Sequence, residues 1–536
     1  MTAEPAEEQR AVPRIVRREM RDFLRVHEQR RRLLPRSIAV GVLAGLVGVA
    51  FRASLDETDL ARDALIALAH RHPILGLPAL LGFGALGAGL AVFLVRRFAP
   101  EASGSGIPHV KAVLYGLRTM RAERIIAVKF AGGVAGIGAG LALGREGPTV
   151  QMGAAIGQMV SRWFPSTARE QRTLVAAGAG AGIAAAFNAP IAGLIFVLEE
   201  VQRDFSPGVF AASFVASATA DVMTRLLLGQ LPIFHVEALS IPPLQALPVS
   251  LAVGAAAGVL GVLFNRALLA SVEAFQRRTE RPAWANAAAV GATVAAVGWF
   301  LPQVLGGGNR LVAQTLAGEV TIGALAGFFV IRFALTMASY GCGAPGGIFA
   351  PLLVLGSEIG LAIGALAAQL FPATITNHQS FAVVGMAAYF SAIVRAPLTG
   401  IVLIVEMTGN YSLVLPLLVA CLTAYGLADF LRDRPVYEAL LERDLSRGES
   451  NAALESTFVA DYTIAPGAPF EGKKIRDLGL PSGCIVILIR RGVQEEVPTA
   501  DTTLAAGDQM TVVISPQAAS AVATLRSGSE APFLTG

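Results

Sequence analysis

Three short glycine-rich stretches hold the residues of this sequence most able to do chemistry: Gly104-Ser105-Gly106-Ile107-Pro108, Gly144-Arg145-Glu146-Gly147-Pro148 and Gly347-Ile348-Phe349-Ala350-Pro351. In each, glycine precedes an apolar helical run and proline sits in its first turn, which is how a helix N-terminus looks in sequence. Such an end offers unpaired N–H groups and a partial positive charge, which together bind an anion. Three ends aimed at one point would hold a halide without a full positive charge, and so without trapping it. Ser105 would add a hydroxyl donor. One such stretch alone would read as a kink in a glycine-rich bundle; the three together read as an anion site.

Glu146 is the most informative single residue, because the stretch Phe130–Gly144 before it is uncharged and a further uncharged run follows it. An acid at membrane depth is costly and usually functional. A carboxylate at the mouth of an anion site can take the ion's place, and protonation would release it and open the site. Burial disfavours its charged form while the helix ends favour it, and the sequence leaves that balance open. Arg145 has a second reading as a structural counter-ion of Glu146. Glu199 and Glu200 close the uncharged stretch Leu174–Leu198. Glu199 reads equally well as an acid facing water at the edge of a span. Glu200 gains meaning with Glu146, since two separated acids on one pathway can pass a proton between the membrane faces. Tyr437, in Arg434-Pro-Val-Tyr437, can present a phenol O–H to an anion, although alone it would read as a membrane-interface tyrosine.

These residues need a scaffold at membrane depth, and the composition supplies one. Of 536 residues, 54% are hydrophobic and only 15% charged. A soluble domain carries about 25% charged residues, so too few are present to coat a water-facing surface. The 57 glycines follow no G-X-Y period, and the apolar content excludes disorder. Cys342, Cys421 and Cys484 are far apart, so neither a disulfide framework nor a metal site is expected. A net charge of +4 does not point to nucleic acid. The chain reads as an all-α polytopic membrane protein with a small soluble tail.

The basic run Arg10–Arg36 has neither the short charged region nor the cleavage site of a secretory signal. Ile15, Met20, Phe23 and Leu24 suit an amphipathic surface helix within residues 1–35, and the arginines place that end in the cytoplasm. From about Ser37 to Leu431 apolar stretches follow closely: Ile74–Leu94, Phe130–Gly144, Leu174–Leu198, Leu247–Leu268, Ala285–Phe300, Ile322–Met337, Phe349–Leu370 and Leu413–Ala428. Several are too short or too broken for a span of ~20 residues. The breaks at Gly104–Pro108, Asn188-Ala-Pro190 and Gly343–Gly347 are tolerated only where backbone is buried in protein or lines a polar cavity. Broken helices in two similar halves, here divided near Glu237–Pro243, point to a midplane ion site. Residues 36–445 then form the membrane domain, 446–456 a polar linker and 457–536 a small α/β module. That module is read as a strand over Cys484–Ile489, turns at Gly492 and Gly507-Asp508, a strand over Met510–Ile514 and a helix over Pro516–Leu525.

The three signatures, in this order and at these separations, resemble the chloride channel and chloride–proton antiporter family, CLC, over about residues 35–445. The resemblance implies a fold of two inverted repeats of tilted, often broken helices, assembled as a homodimer of independent pores. It implies that Ser105, the amides of Ile348 and Phe349 and the Tyr437 hydroxyl coordinate a central chloride. Glu146 would be the gating glutamate and Glu200 the inner proton-transfer acid, with Gly104, Gly106, Pro108, Arg145, Gly147, Pro148 and Glu199 supporting them. Channels of the family usually lack the inner acid, fluoride-selective members alter the first two signatures, and nitrate-preferring members often carry proline in place of Ser105. All three comparisons favour chloride–proton antiport. One departure is His109, where an acid is common; it reads as a hydrogen-bonded histidine of the first helical turn. The tail resembles the C-terminal module of potassium-transport regulators, TrkA-C or RCK-C, through Glu471–Leu480, Cys484–Arg491 and Ala506-Gly507-Asp508. Such modules pair as dimers and sometimes bind small regulators of the cyclic di-AMP type.

The leading function is therefore exchange of chloride for protons, gated by Glu146. A passive voltage- or pH-gated chloride channel of the same fold is the alternative. A membrane sensor with vestigial transport is opposed by the intact anion-site signatures. An enzyme is opposed by the lack of HExxH or a P-loop and by six scattered histidines. No cofactor is expected, only chloride as substrate. The expected partners are chloride, protons, the lipid bilayer and a second copy of the chain, with no nucleic acid. The expected location is the inner (plasma) membrane, multi-pass, with both termini cytoplasmic.

Overall fold

Proline and left-handed residues decide where the apolar stretches of this chain stop, and they do so twice in the same order. The computed structural model describes residues 14–230, 234, 243–278, 280–375, 377–447, 458–491, 494–515, 518 and 521–529, with most side chains from Arg32 onward. The chain forms two compact units, Met1–Lys111 with Met120–Leu440, and Ala112–Thr119 with Leu441–Gly536.

The first half of the larger unit runs through α1 (Arg14–Arg71), α2 (Pro73–Phe98), α3 (Ile107–Leu114), α4 (Ala122–Gly138), α5 (Glu146–Trp163), α6 (Ala168–Phe187), α7 (Pro190–Phe196), a π-turn at Val197–Val201 and α8 (Pro207–Leu228). The second half repeats the sequence of elements: α9 (Leu247–Arg277), α10 (Ala283–Phe300), α11 (Asn309–Leu316), α12 (Ile322–Gly341), α13 (Phe349–Leu370), α14 (Gln379–Val394), α15 (Pro397–Thr408) and α16 (Val414–Phe430), before α17 (Val436–Arg447). Packing repeats too. α5 lies on α6 as α13 lies on α14, α1 on α8 as α9 on α16, and α6 on α8 as α14 on α16. α6 ends at Asn188 (φ 54°) before Ala189-Pro190, and α14 ends at Arg395 (φ 67°) before Ala396-Pro397. Among the described residues, eight helices are long and apolar enough to cross a membrane, so the chain is a multi-pass membrane protein.

Glycine sets the closeness of these packed pairs. A Cβ on Gly153 or Gly178 would strike the other's carbonyl oxygen across α5 and α6, and the same holds for Gly356 and Gly385 across α13 and α14. A Cβ on Gly360 would strike the Phe381 carbonyl. Gly360→Ala is therefore expected to destabilise the fold by about 1–3 kcal/mol, the cost of overpacking a filled interior. The midpoint of thermal unfolding in detergent checks it; an unchanged midpoint would mean that the pair can part without loss.

Local breaks and continuities set the helix bounds in three of the apolar stretches. Pro35 lies inside α1 rather than at the head of a new helix, so the basic stretch and the first apolar stretch are one continuous helix; the side chains of Ile15, Met20, Phe23 and Leu24 lie outside the described residues. The stretch Phe130–Gly144 is not one span, because α4 stops at Gly138 and the chain turns back through Gly140 (φ 105°). The stretch Leu174–Leu198 is cut at Asn188. Of the division near Glu237–Pro243, residues 237–242 lie outside the described residues, as do residues 448–456 of the linker.

The smaller unit holds an antiparallel sheet of β1 (Phe458–Thr463), β2 (Cys484–Arg491), β3 (Gln494–Glu496) and β4 (Gln509–Ile514) in the order β1-β4-β2-β3, with α18 at Ala521–Ser529. Ile489, Met510, Val512 and Ile514 of the sheet bury against Phe470, Leu478, Leu504 and Leu525. Asp508 at the turn before β4 accepts hydrogen bonds from the Arg491 guanidinium and the Ala505 amide, and the Arg491 bond holds its carboxyl below the usual carboxylate range. Of the helix expected over Pro516–Leu525, α18 covers the part from Ala521, and residues 516, 517, 519 and 520 lie outside the described residues. Gly492 lies outside the described residues.

Candidate functional site

The three glycine-rich signatures, far apart in sequence, are laced together by their own backbones. Gly144 and Gly347 exchange both N–H···O bonds, at 2.7 and 2.8 Å, and the Gly346 amide donates to the Gly104 carbonyl at 3.0 Å. Gly104 (φ 58°) and Gly106 (φ 83°) hold left-handed conformations that a side chain would oppose. Because Gly147 has no side chain, Ser105 comes against it; a Cβ there would lie 2.7 Å from the Ser105 carbonyl oxygen. The signatures open α3, α5 and α13 respectively, with Pro108, Pro148 and Pro351 in their first turns. Each of these starts leaves first-turn amides without intrahelical partners.

Ser105 lies just ahead of α3 and is buried, its amide donating to the Tyr340 hydroxyl at 3.4 Å. Ile348 and Phe349 form the buried start of α13. The Phe349 ring packs against Phe187 at the end of α6 and against Phe390 of α14, with centroids 5.1 and 4.4 Å apart. Tyr437, in the first turn of α17, is fully buried. Among the described residues its hydroxyl has no hydrogen-bond partner, and its neighbours include Tyr340, Glu200, Glu146 and Ser105. An orphaned buried hydroxyl is costly unless something accepts its proton.

Glu146 is 1% exposed. Its carboxylate folds back toward Gly144 and accepts from the Ala350 amide in the first turn of α13 at 3.4 Å. A carboxyl side chain of one half thus lies at a helix N-terminus of the other. A narrow cleft lined by Asp56, Asp59, Arg145, Gly307 and Asn309 reaches it. Arg145 does not pair with Glu146; its guanidinium donates to the Ala186 carbonyl at 3.2 Å.

The two neighbouring acids separate in role. Glu199 does not simply face water: it accepts from the Leu398 and Thr399 amides at 3.0 and 2.7 Å, capping α15. Glu406 of α15 returns the favour to α7 through Ile191 and Ala192, at 3.1 and 2.7 Å. A carboxylate at a helix N-terminus offsets the exposed N–H groups and the dipole. Glu200 is instead fully buried, bonded to the Lys111 ammonium at 2.7 Å. His109 is hydrogen-bonded to Gln151 at 3.3 Å.

Two lysines escaped the sequence reading. Lys111 is the partner of Glu200. Lys129 is completely buried and donates to the Ala102 and Gly104 carbonyls at 2.9 and 2.7 Å, so it anchors the loop that presents Ser105. Both interrupt apolar stretches, and the rule that singled out Glu146 applies to them as well.

Known proteins are similar to this chain in sequence and fold. The model of the family described as voltage gated chloride channel matches residues 85–429, and the TrkA-C domain model matches residues 459–526. The H(+)/Cl(−) exchange transporter ClcA of Salmonella gallinarum is 41% identical over 452 residues, which is 82% of this chain and 96% of that protein. The crystal structure of a slow cyanobacterial Cl−/H+ antiporter is 36% identical with a TM-score of 0.75, covering 78% of this chain and 99% of that one. A eukaryotic CLC transporter, 23% identical over 77% of this chain and 74% of its own with a TM-score of 0.66, shares the fold. By the match over most of its membrane unit and by this extent of identity, the chain belongs to the voltage-gated chloride channel family, CLC, and carries a TrkA-C domain at its C-terminal end.

Proposed function

We propose that this protein moves chloride across the membrane in exchange for protons, with Glu146 as the gate that both ions share. One observation carries the reading: the Glu146 carboxylate rests against the first-turn amide of Ala350, in the kind of seat a helix end offers to a free anion. Chloride and this carboxylate then compete for one place. When Glu146 takes a proton it loses the charge that holds it there, swings away, and yields the seat to chloride.

Chloride's inner position lies among Ser105, the amides of Ile348 and Phe349, and the Tyr437 hydroxyl. These are neutral donors, which suits passage rather than trapping. Glu200 serves as the inner proton acid, and its presence favours exchange over the passive-channel alternative; the relative at 41% identity is described as an exchanger. Both termini face the cytoplasm of a plasma (inner) membrane, and two copies pair as a dimer. Residues 457–536 form a regulatory module that pairs with its counterpart and takes a small regulator of the cyclic di-AMP type. Support for the pairing comes from Ile485 and Ile487, which alternate along β2 and are exposed.

Chloride binding to the purified protein tests the inner position. Tyr437→Ala removes a donor to a charged acceptor, so the affinity measured by calorimetry is expected to fall about tenfold or more. Unchanged affinity would remove Tyr437 from the site.

A further inference from the structure

We infer that Lys111 is a positioning residue for the proton branch: it fixes the Glu200 carboxylate and ties it to the two elements that carry the chloride donors. The inference rests on the exchange reading and deepens it.

Lys111 lies in α3, the helix that Ser105 precedes. Its Nζ is 2.7 Å from Glu200 Oε1, with the two side chains 1% and 0% exposed, and 3.9 Å from Glu438 Oε1. Glu438 is the residue after Tyr437 in α17. Arg203 closes the network, 2.5 Å from Glu438 Oε1 and 3.7 Å from Glu200 Oε2. Two cations and two carboxylates thus join the helix of Ser105, the turn of Glu200 and the helix of Tyr437.

The two oxygens of Glu200 are not equivalent. Oε1 holds the Lys111 ammonium, whereas Oε2 is buried and has no hydrogen-bond partner among the described residues, the Arg203 guanidinium lying 3.7 Å away. A proton arriving as hydronium adds to a lone pair of Oε2, forming an O–H bond and leaving water, while the bond from Lys111 to Oε1 stays in place. The acid can therefore load and unload without turning over, and always at the same oxygen. Without the ammonium, a buried carboxylate loses the partner that offsets its desolvation and fixes its orientation. The Lys111 ammonium is held by Glu200 and is not among the groups proposed to donate to chloride, so its loss should fall on protons rather than on chloride.

The test uses the full-length protein in liposomes, with chloride efflux and proton uptake recorded together for wild type, Lys111→Met, Lys111→Arg and Glu438→Gln. For Lys111→Met, proton flux is expected to fall about tenfold while chloride flux falls by no more than about threefold, the scale expected when one partner of a buried ion pair is removed. Lys111→Arg keeps the charge and should recover at least about a third of the proton flux. If Lys111→Met does not fold, Glu438→Gln carries the test. Its charge is partly exposed, and a fall of proton flux of about two- to fivefold at unchanged chloride flux is expected from weakening the network. Proton and chloride fluxes that fall together, no rescue by arginine, or fluxes unchanged in both Lys111→Met and Glu438→Gln would overturn the role of Lys111. A wild type that moves no protons at all would instead overturn the exchange reading, and the role of Lys111 with it.

Discussion

Glu146→Ala is expected to abolish proton coupling while leaving chloride flux in place. Proton movement should drop by about 100-fold or more, the scale on which removal of a positioned acid–base group acts. The reason is geometric. Glu146, whose carboxylate meets the Ala350 amide at the α13 N-terminus, is an anion when deprotonated and can vacate the seat when protonated. Alanine leaves the first-turn amides to chloride at every pH, so chloride flux should also lose its dependence on external pH. Paired chloride-electrode and pH-electrode recordings check both parts. Persistent proton transport in this variant would move the gate to another residue.

Glu200→Gln should separate the two ions in a different way. The amide keeps the size of the side chain but cannot take up and release a proton near neutral pH, so proton flux should fall by about 100-fold. Chloride flux should persist, because the chloride donors lie at Ser105, Ile348, Phe349 and Tyr437 and not at Glu200. Unlike Glu146→Ala, this variant keeps the Glu146 gate, so its chloride flux should still respond to external pH. That contrast distinguishes an inner relay from a gate. Equal loss of chloride and proton flux would make Glu200 a structural partner of Lys111 and nothing more.

Much of the site was legible because its logic is local. Glycine with positive φ, a proline one or two residues into a helix and an acid inside an apolar stretch are each visible within five residues, and these carried Ser105, Glu146 and the start of α13. What was illegible depends on chain folding over long separations. Glu199 looked like an acid at a water-facing edge because its partners, Leu398 and Thr399, lie in the other half of the molecule. Arg145 carried a second reading as a counter-ion of its neighbour because nothing in the sequence brings the Ala186 carbonyl to it. The basic stretch and the first apolar stretch look separate in sequence, yet α1 runs through both, with Pro35 inside it. Lys111 and Lys129 are the instructive omissions: their signal was present in the apolar stretches around them and was passed over in favour of the acids.

The repeat shows the same division. The halves share little sequence, but α5 with α6 and α13 with α14 meet through facing glycines, and each half ends a helix at a left-handed residue before Ala-Pro. Close backbone approach and chain reversal constrain only a few positions, so the architecture is repeated where those positions recur and the rest is free to diverge.

The most direct measurement places purified protein in liposomes with a chloride gradient and no pH gradient, sets the voltage with potassium and valinomycin, and records external pH. Protons driven against their own electrochemical gradient by the movement of chloride are the predicted result. Chloride flux with no accompanying proton movement would contradict the account, and would make the protein a passive chloride pathway despite Glu200.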